Sequence, residues 1–151
     1  MNGILLVNKE KGPTSHDVVA MVRRTLRMKK IGHMGTLDPA ATGILPLLVG
    51  KATRLSRYFV GADKSYRAVV KFGKTTDTLD GDGTVQTESE VTSTEEDIAN
   101  AVMSFLGKQN QTPPMYSAKK IKGKRLYELA RKGVEVERDS KAIEIKRLQI
   151  E

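Results

Sequence analysis

The chain has 151 residues, no cysteine and a formal net charge of +8. That length is enough for one domain with a sizeable core, and the missing cysteine excludes a disulfide framework, thiolate metal sites and thiol catalysis while suiting a reducing cytosol. The opening apolar run, residues 4–7, is too short for a signal-peptide core and no run reaches membrane length, so a cytoplasmic chain without a membrane partner is expected.

Residues 4–8 (Ile-Leu-Leu-Val-Asn) read as a short buried strand, closed by the turn chemistry of Lys9-Glu10-Lys11-Gly12-Pro13. Thr14 or Ser15 then caps a helix reaching about Arg27. Its stripe is Val18, Val22 and Leu26 with Val19 beside them, which leaves the arginines to solvent or ligand. The stretch that follows, Gly32-His33-Met34-Gly35-Thr36-Leu37-Asp38-Pro39-Ala40-Ala41-Thr42-Gly43, holds three glycines, a proline and two threonines, which forbid a regular helix or central strand through most of it. It runs straight into residues 44–49, an apolar run with the pattern of a buried strand. A polar loop tied to core structure and carrying one carboxylate reads as a site loop. Pro39 also biases the backbone of Asp38 toward extended geometry.

Gly50-Lys51-Ala52-Thr53 opens a second helix with Leu55, Tyr58 and Phe59 inward. After a turn at residues 61–64, residues 65–72 alternate as a strand, with Tyr66, Ala68 and Val70 on one side. Residues 73–83 read as a polar loop and residues 84–88 as a short strand. Ser93 or Thr94 with Glu96 or Asp97 makes a capping-box pattern for a helix with the stripe Ile98, Val102, Phe105 and Leu106, stopped by Gly107. Residues 109–117 are extended, residues 124–131 form a basic helix ending at Gly133, and residues 134–136 and 143–145 alternate as strands. Strands and helices without strict βαβ alternation predict an α/β chain of the α+β type, with a mixed, largely antiparallel sheet flanked by helices.

Charge is segregated along the chain. Residues 75–97 hold eight acids and no base, whereas Arg23, Arg24, Arg27, Lys29 and Lys30 crowd into eight residues, and Lys119, Lys120, Lys122, Lys124, Arg125, Arg131 and Lys132 face one acid, Glu128. Two basic clusters beside an acidic face are the footprint of a polyanion binder, so nucleic acid is the expected partner.

Metal and hydrolytic motifs fail on context. His16 and His33 lack helical metal spacing. Asp80-Gly81-Asp82-Gly83-Thr84 matches an aspartyl-phosphate motif, but no hydrophobic strand delivers Asp80, and an EF-hand reading meets Val91 where it needs Glu. Gly32-His33-Met34-Gly35 fits the GxxG of KH domains, yet Leu37-Asp38-Pro39 breaks the helix that fold requires. Asp38 is the only acid among residues 18–62, and the cations before it favour a charged, nucleophilic carboxylate. An ionised aspartate in a basic, RNA-sized site points to nucleotide chemistry without hydrolysis or cofactor.

The residues 32–43 loop, followed by Leu45-Pro46 and Gly50-Lys51-Ala52-Thr53, resembles motif II of the TruB family of tRNA pseudouridine-55 synthases. The resemblance extends to Gly3-Ile4-Leu5-Leu6-Val7-Asn8-Lys9 with Gly12, Thr14 and Ser15, and to Lys64-x-Tyr66 followed by Gly73, Thr76-Asp77-Thr78 and Asp80. It continues through Gln111-x-Pro113-Pro114-Met115-Tyr116-Ser117-Ala118 and Gly123-Lys124-x-Leu126-Tyr127-Glu128-x-Ala130-Arg131-x-Gly133. It implies a pseudouridine synthase fold and a cofactor-independent isomerase with no metal, in which Asp38 is the catalytic aspartate that attacks the T-loop uridine of tRNA. Tyr66 would stack on the uracil and assist proton removal, and His33 would help hold the T-loop with its uridine flipped out. Arg23, Arg24, Lys29, Lys30, Arg54, Lys64, Lys119 and Lys124 are the candidate contacts to RNA phosphates. Asp80 is read as structural or network-forming.

Two departures matter. Glu10 stands where relatives commonly have proline, although the turn survives through Gly12-Pro13. The family also continues well past this length, with a strand whose arginine pairs with the catalytic aspartate and often with a C-terminal RNA-binding domain. Residues 1–151 are therefore expected to be the N-terminal portion of the catalytic domain, monomeric and weakly active or inactive alone. Rival readings are a guide-RNA-dependent branch of the same superfamily, a non-catalytic RNA-binding or RNA-chaperone module, and a ribosomal structural protein.

Overall fold

The computed structural model describes the chain except Val60, Ala118, Lys119, Lys122, Arg131 and Lys132, and gives the backbone alone for Lys120, Ile121, Lys124, Arg125, Tyr127 and Glu128. The chain forms two units, residues 1–69 and 70–151.

In the first unit β1 (Gly3–Lys9), β2 (Ile31–His33) and β3 (Gly43–Val49) form an antiparallel sheet in the order β1-β3-β2. The register pairs Gly3 with Val49 and Lys9 with Gly43, so Val7, Lys9, Leu45, Leu47 and Val49 share one face. The helix α1 (Ser15–Thr25) packs Val18 and Val19 onto that face with Ile31, and Val7, Val22, Leu26, Met28 and Leu37 close the edges. The core stripe expected of α1 is the one observed. Its start is set by Thr14, whose hydroxyl accepts from Asp17 N at 3.1 Å while the Asp17 carboxylate accepts from Thr14 N at 2.9 Å. On the other face Leu48 is buried, flanked by Ile4 and Gly32, but Ile4, Leu6 and Ile44 are exposed.

Pro46 stands in the central strand, where a missing N–H ordinarily breaks a ladder. Its carbonyl accepts from Met34 N at 3.0 Å. Since a residue's N–H and C=O point to the same side of a strand, the absent donor faces the end of β2, where pairing has already given way to the loop. Pro46 thus limits β2 to three residues and releases the chain into residues 34–42.

Residues 50–55 form a 3₁₀ turn leading into α2 (Ser56–Phe59). Leu55 and Tyr58 are exposed, contrary to the inward stripe expected of them. At Leu55 a winding of three residues per turn rotates the side chain away from a pattern read at 3.6. Tyr58 instead carries the Arg57 guanidinium 4.9 Å over its ring. Residues 65–72 are irregular and exposed rather than a strand. Alternation makes a two-faced segment, but a strand exists only where another supplies its ladder, and among the described residues none does.

In the second unit β4 (Lys74–Thr76) and β5 (Val85–Glu88) pair as a hairpin with a bulge after Thr75. The loop expected over 73–83 thus contains a strand, held by Lys74–Glu88 at 2.7 Å. Asp80 closes the intervening turn, accepting from Thr78 Oγ1 at 2.6 Å and Asp82 N at 3.0 Å, the structural role expected of it. The helix α3 (Glu95–Met103) begins at a second capping box, Thr94 with Asp97, but ends before Phe105 and Leu106, both exposed. Next, β6 (Gly107–Gln111) pairs with β9 (Lys141–Ile145), and between them lie the pair β7 (Lys120–Ile121) and β8 (Lys124–Arg125) and the short helix α4 (Leu126–Ala130). The basic helix is shorter than expected because its first two residues join a hairpin around Gly123. Residues 134–136 are irregular. The α+β class stands, and every ladder among the described residues is antiparallel. Among the described residues the strands form one three-stranded sheet and three two-stranded ladders.

Hydrogen bonds from Thr14 hold the carboxyl of Asp17, and those from Thr94 hold that of Asp97, below the ordinary aspartate value of 3.8. A folded-state pKa below the unfolded one stabilises the native state above about pH 4 and is lost as pH falls through the folded value. In thermal unfolding followed from pH 6 to pH 2.5, the deficit of Asp97→Asn relative to the parent chain is expected to shrink toward zero at the acid end.

Candidate active-site loop

The loop between β2 and β3 is held from below by the first fifteen residues. Period-two alternation turns the Lys9 side chain toward the core face, and it is 1% exposed. A buried ammonium needs acceptors, and Lys9 Nζ finds three carbonyls: Ala41 O at 2.6 Å, Glu10 O at 3.0 Å and Pro39 O at 3.2 Å. Pro39 O also accepts from Gly12 N at 2.9 Å. Gly12 has φ +111°, a backbone region that costs other residues about 1–3 kcal/mol. Because Thr14 takes the capping role, the hydroxyl of Ser15 is free to act across the chain. It is 2% exposed, donates to Leu37 O at 3.0 Å and accepts from Leu37 N at 2.9 Å. Finally, Ala41 N donates to Asp38 O at 3.0 Å, closing a turn.

The backbone is thus fastened at residues 37, 38, 39 and 41, and the Leu37 side chain is packed against the core. The carboxylate of Asp38 is exposed and makes no hydrogen bond or ion pair with any described residue. A rigid backbone bearing an uncommitted anion is what a nucleophile needs: its position is set in advance and no partner has to be displaced before it reacts.

His33, the last residue of β2, is half-buried opposite Leu47, and its Nδ1 is buried without a partner among the described residues. It lies at the entrance of the same loop. Tyr66 lies in the irregular segment, 68% exposed, with no hydrogen bond to Asp38 or His33. Of the basic candidates, Arg23 is half-buried and donates through Nη2 to Ile31 O at 2.6 Å, tying α1 to β2. It does not fall wholly away from the core as the helical stripe predicts. Arg24, Lys29, Lys30 and Arg54 are exposed, and Lys64 is exposed with its Nζ 2.9 Å from Ala62 O. Arg23, Arg24, Arg27, Met28 and Lys29 line an open hollow of about 470 Å³ at the C-terminal end of α1. Lys119 lies outside the described residues, and of Lys124 only the backbone, in β8, is described. Among the described residues no group of three or more His, Asp or Glu side chains is arranged to hold a metal, and no helix is long and apolar enough to cross a membrane.

Nothing in the local sequence pattern singles out Lys9 or Ser15. Both stand in the N-terminal motif, but the first looks like a solvated turn lysine and the second like an alternative helix cap.

A carboxylate loop is thus slung between two strands of an antiparallel sheet and braced by an N-terminal strand and helix. A crystal structure of a Cbf5–Nop10–Gar1 complex contains a chain that matches 78% of this one at 31% identity with a TM-score of 0.52, the match covering 31% of that chain. The sequence model for the TruB family pseudouridylate synthase N-terminal domain matches residues 23–151, and the chain belongs to that family. The tRNA pseudouridine synthase B of Symbiobacterium thermophilum is 55% identical over 151 residues, and that of Alkaliphilus oremlandii 53% over 150; each match covers 99% of this chain and 50% of the relative. The chain spans about half the length of the curated relatives it matches.

Proposed function

We propose that this chain is the N-terminal portion of the catalytic domain of a cytoplasmic tRNA pseudouridine-55 synthase, with Asp38 as its catalytic residue. The observation that carries the reading is the clamped loop: six backbone groups around Asp38 are fastened while its carboxylate stays open. The names of relatives more than 50% identical over nearly the whole chain support tRNA as the substrate.

In this reading the Asp38 carboxylate attacks the bound uridine and the bond between C1′ and N1 breaks. The uracil rotates, C5 bonds to C1′, the bond from the Asp38 carboxylate to the nucleotide breaks and frees the aspartate, the proton on C5 leaves, and N1 ends protonated. The product is an isomer of the substrate, so the balance closes without oxidant, hydrolytic water or cofactor. Tyr66 stacks on the uracil and assists removal of the C5 proton. His33 holds the T-loop with the target base turned out of its stack.

The test is release of tritium from a T-loop RNA labelled at uridine C5, comparing residues 1–151 with the chain carried on to its relatives' length. Release by the longer chain establishes the synthase. No release from either chain, with tight RNA binding, would leave a binding module instead.

The hollow at the end of α1 is a second place where RNA is held, its exposed cations meeting phosphates. Replacing Arg24, Arg27 and Lys29 together by Gln is expected to weaken RNA binding uniformly across sequences. The slope of log K against log salt should fall by about one for each phosphate no longer neutralised. Filter binding at several salt concentrations reads it directly. An unchanged slope would remove this face from the interface.

A further inference from the structure

We infer that Ser15 is a positioning residue for Asp38, an inference that rests on the reading of Asp38 as nucleophile. Ser15 is the first residue of α1, and its hydroxyl makes two bonds to one residue, donating to Leu37 O at 3.0 Å and accepting from Leu37 N at 2.9 Å. Together these bonds satisfy both backbone polar groups of the residue immediately before Asp38, as one rung of a sheet ladder would. The bond partners are twenty-two positions apart in sequence and buried on the Ser15 side. The position of the loop is therefore referred to the rigid start of a helix rather than to solvent.

A hydroxyl suits the place because it donates and accepts at one atom, so one short side chain serves both an N–H and a C=O. Alanine leaves the two groups of Leu37 without that partner, while threonine keeps the chemistry and adds one methyl. The Leu37 side chain, packed against the core, still retains the loop roughly in place when the hydroxyl is removed. What suffers is accuracy, and displacement of a reacting group by about 1 Å can cost on the order of 10²-fold in rate. Ser15 touches no substrate in this arrangement. Its effect passes through the backbone of Leu37.

The experiment uses the full-length chain and the variants Ser15→Ala and Ser15→Thr. Turnover on T-loop RNA is measured alongside amide hydrogen exchange at Leu37 and along β3. Ser15→Ala is expected to lower kcat by about 10- to 100-fold with KM within about 2-fold. Exchange at Leu37 should quicken at least about 10-fold while β3 stays protected, and Ser15→Thr should restore most of both. Unchanged turnover in Ser15→Ala, a Leu37 amide that stays protected, or a loss shared with β3 and KM and not relieved by threonine would each overturn the assignment. If the parent chain releases no tritium, the synthase reading falls. The Leu37 amide then decides alone whether Ser15 anchors the loop.

Discussion

Asp38→Asn in the full-length chain is expected to lower tritium release from C5-labelled T-loop RNA by a factor on the order of 10³ or more. RNA affinity should stay within about 3-fold, because the substitution takes a negative charge out of a polyanion site and leaves every cation in place. Three features of the structure favour so clean a separation. Asp38 is exposed, its side chain holds nothing in place among the described residues, and the fastening of the loop uses the backbone of residues 37 to 41 and not the carboxylate. Asparagine has the same shape and can follow the same backbone path, so the fold should not register the change. Measuring turnover and filter-binding affinity on the same preparations separates the alternatives. Equal loss of both would assign Asp38 to binding or folding, and full retention of activity would remove it from the chemistry.

Lys9→Met carries the second large effect, and there stability and activity should fall together. The Lys9 ammonium is enclosed and bonded to Glu10 O, Pro39 O and Ala41 O, two of which belong to the Asp38 loop. Methionine fills much of the volume but offers those carbonyls nothing. Hydrogen bonds to a charged group contribute about 1.5–3 kcal/mol each net of exchange with water, but removing the ammonium also removes the cost of burying it, so a net loss of about 2–3 kcal/mol is expected. In a unit of this size that lowers the unfolding midpoint by about 10 °C or more. Lys9→Arg should rescue little, because a planar fork cannot converge on three carbonyls as a compact ammonium does. Thermal unfolding of the three chains checks this. A Lys9→Met chain as stable as the parent would show that the clamp contributes nothing.

These two residues differ in how visible they are before folding. Asp38 stands out as the only acid in a long basic stretch, on a loop whose glycines and proline exclude regular structure. Lys9 sits in a run of Lys, Glu, Lys, Gly and Pro that reads as a solvated turn. Its burial depends on which face of β1 it occupies and on the loop that later covers it, thirty and thirty-two residues away at Pro39 and Ala41. The same holds for Arg23. The helical stripe sends it outward, but its long side chain bends back to cap Ile31 O. Periodicity places a side chain at its Cβ and is blind to where a long stem ends.

Local sequence was decisive wherever the governing interactions are themselves local. The capping boxes Thr14–Asp17 and Thr94–Asp97 set two helix starts over a span of three residues. The run 44–49 announced a buried strand, and the motif around Asp38 identified the family. What depends on partners was settled only by the packed chain. Residues 65–72 alternate correctly yet form no strand, because a ladder needs a second chain segment beside it. Leu55 turns outward because the backbone up to it winds at three residues per turn. Above all, the aim of Asp38 is set by Lys9, Gly12 and Ser15, through bonds to the loop that form only once β1, α1 and β3 have packed on one another. Residue types and spacing were enough to pick out the carboxylate. Its placement came from hydrogen bonds between residues distant in the chain, which no local pattern encodes.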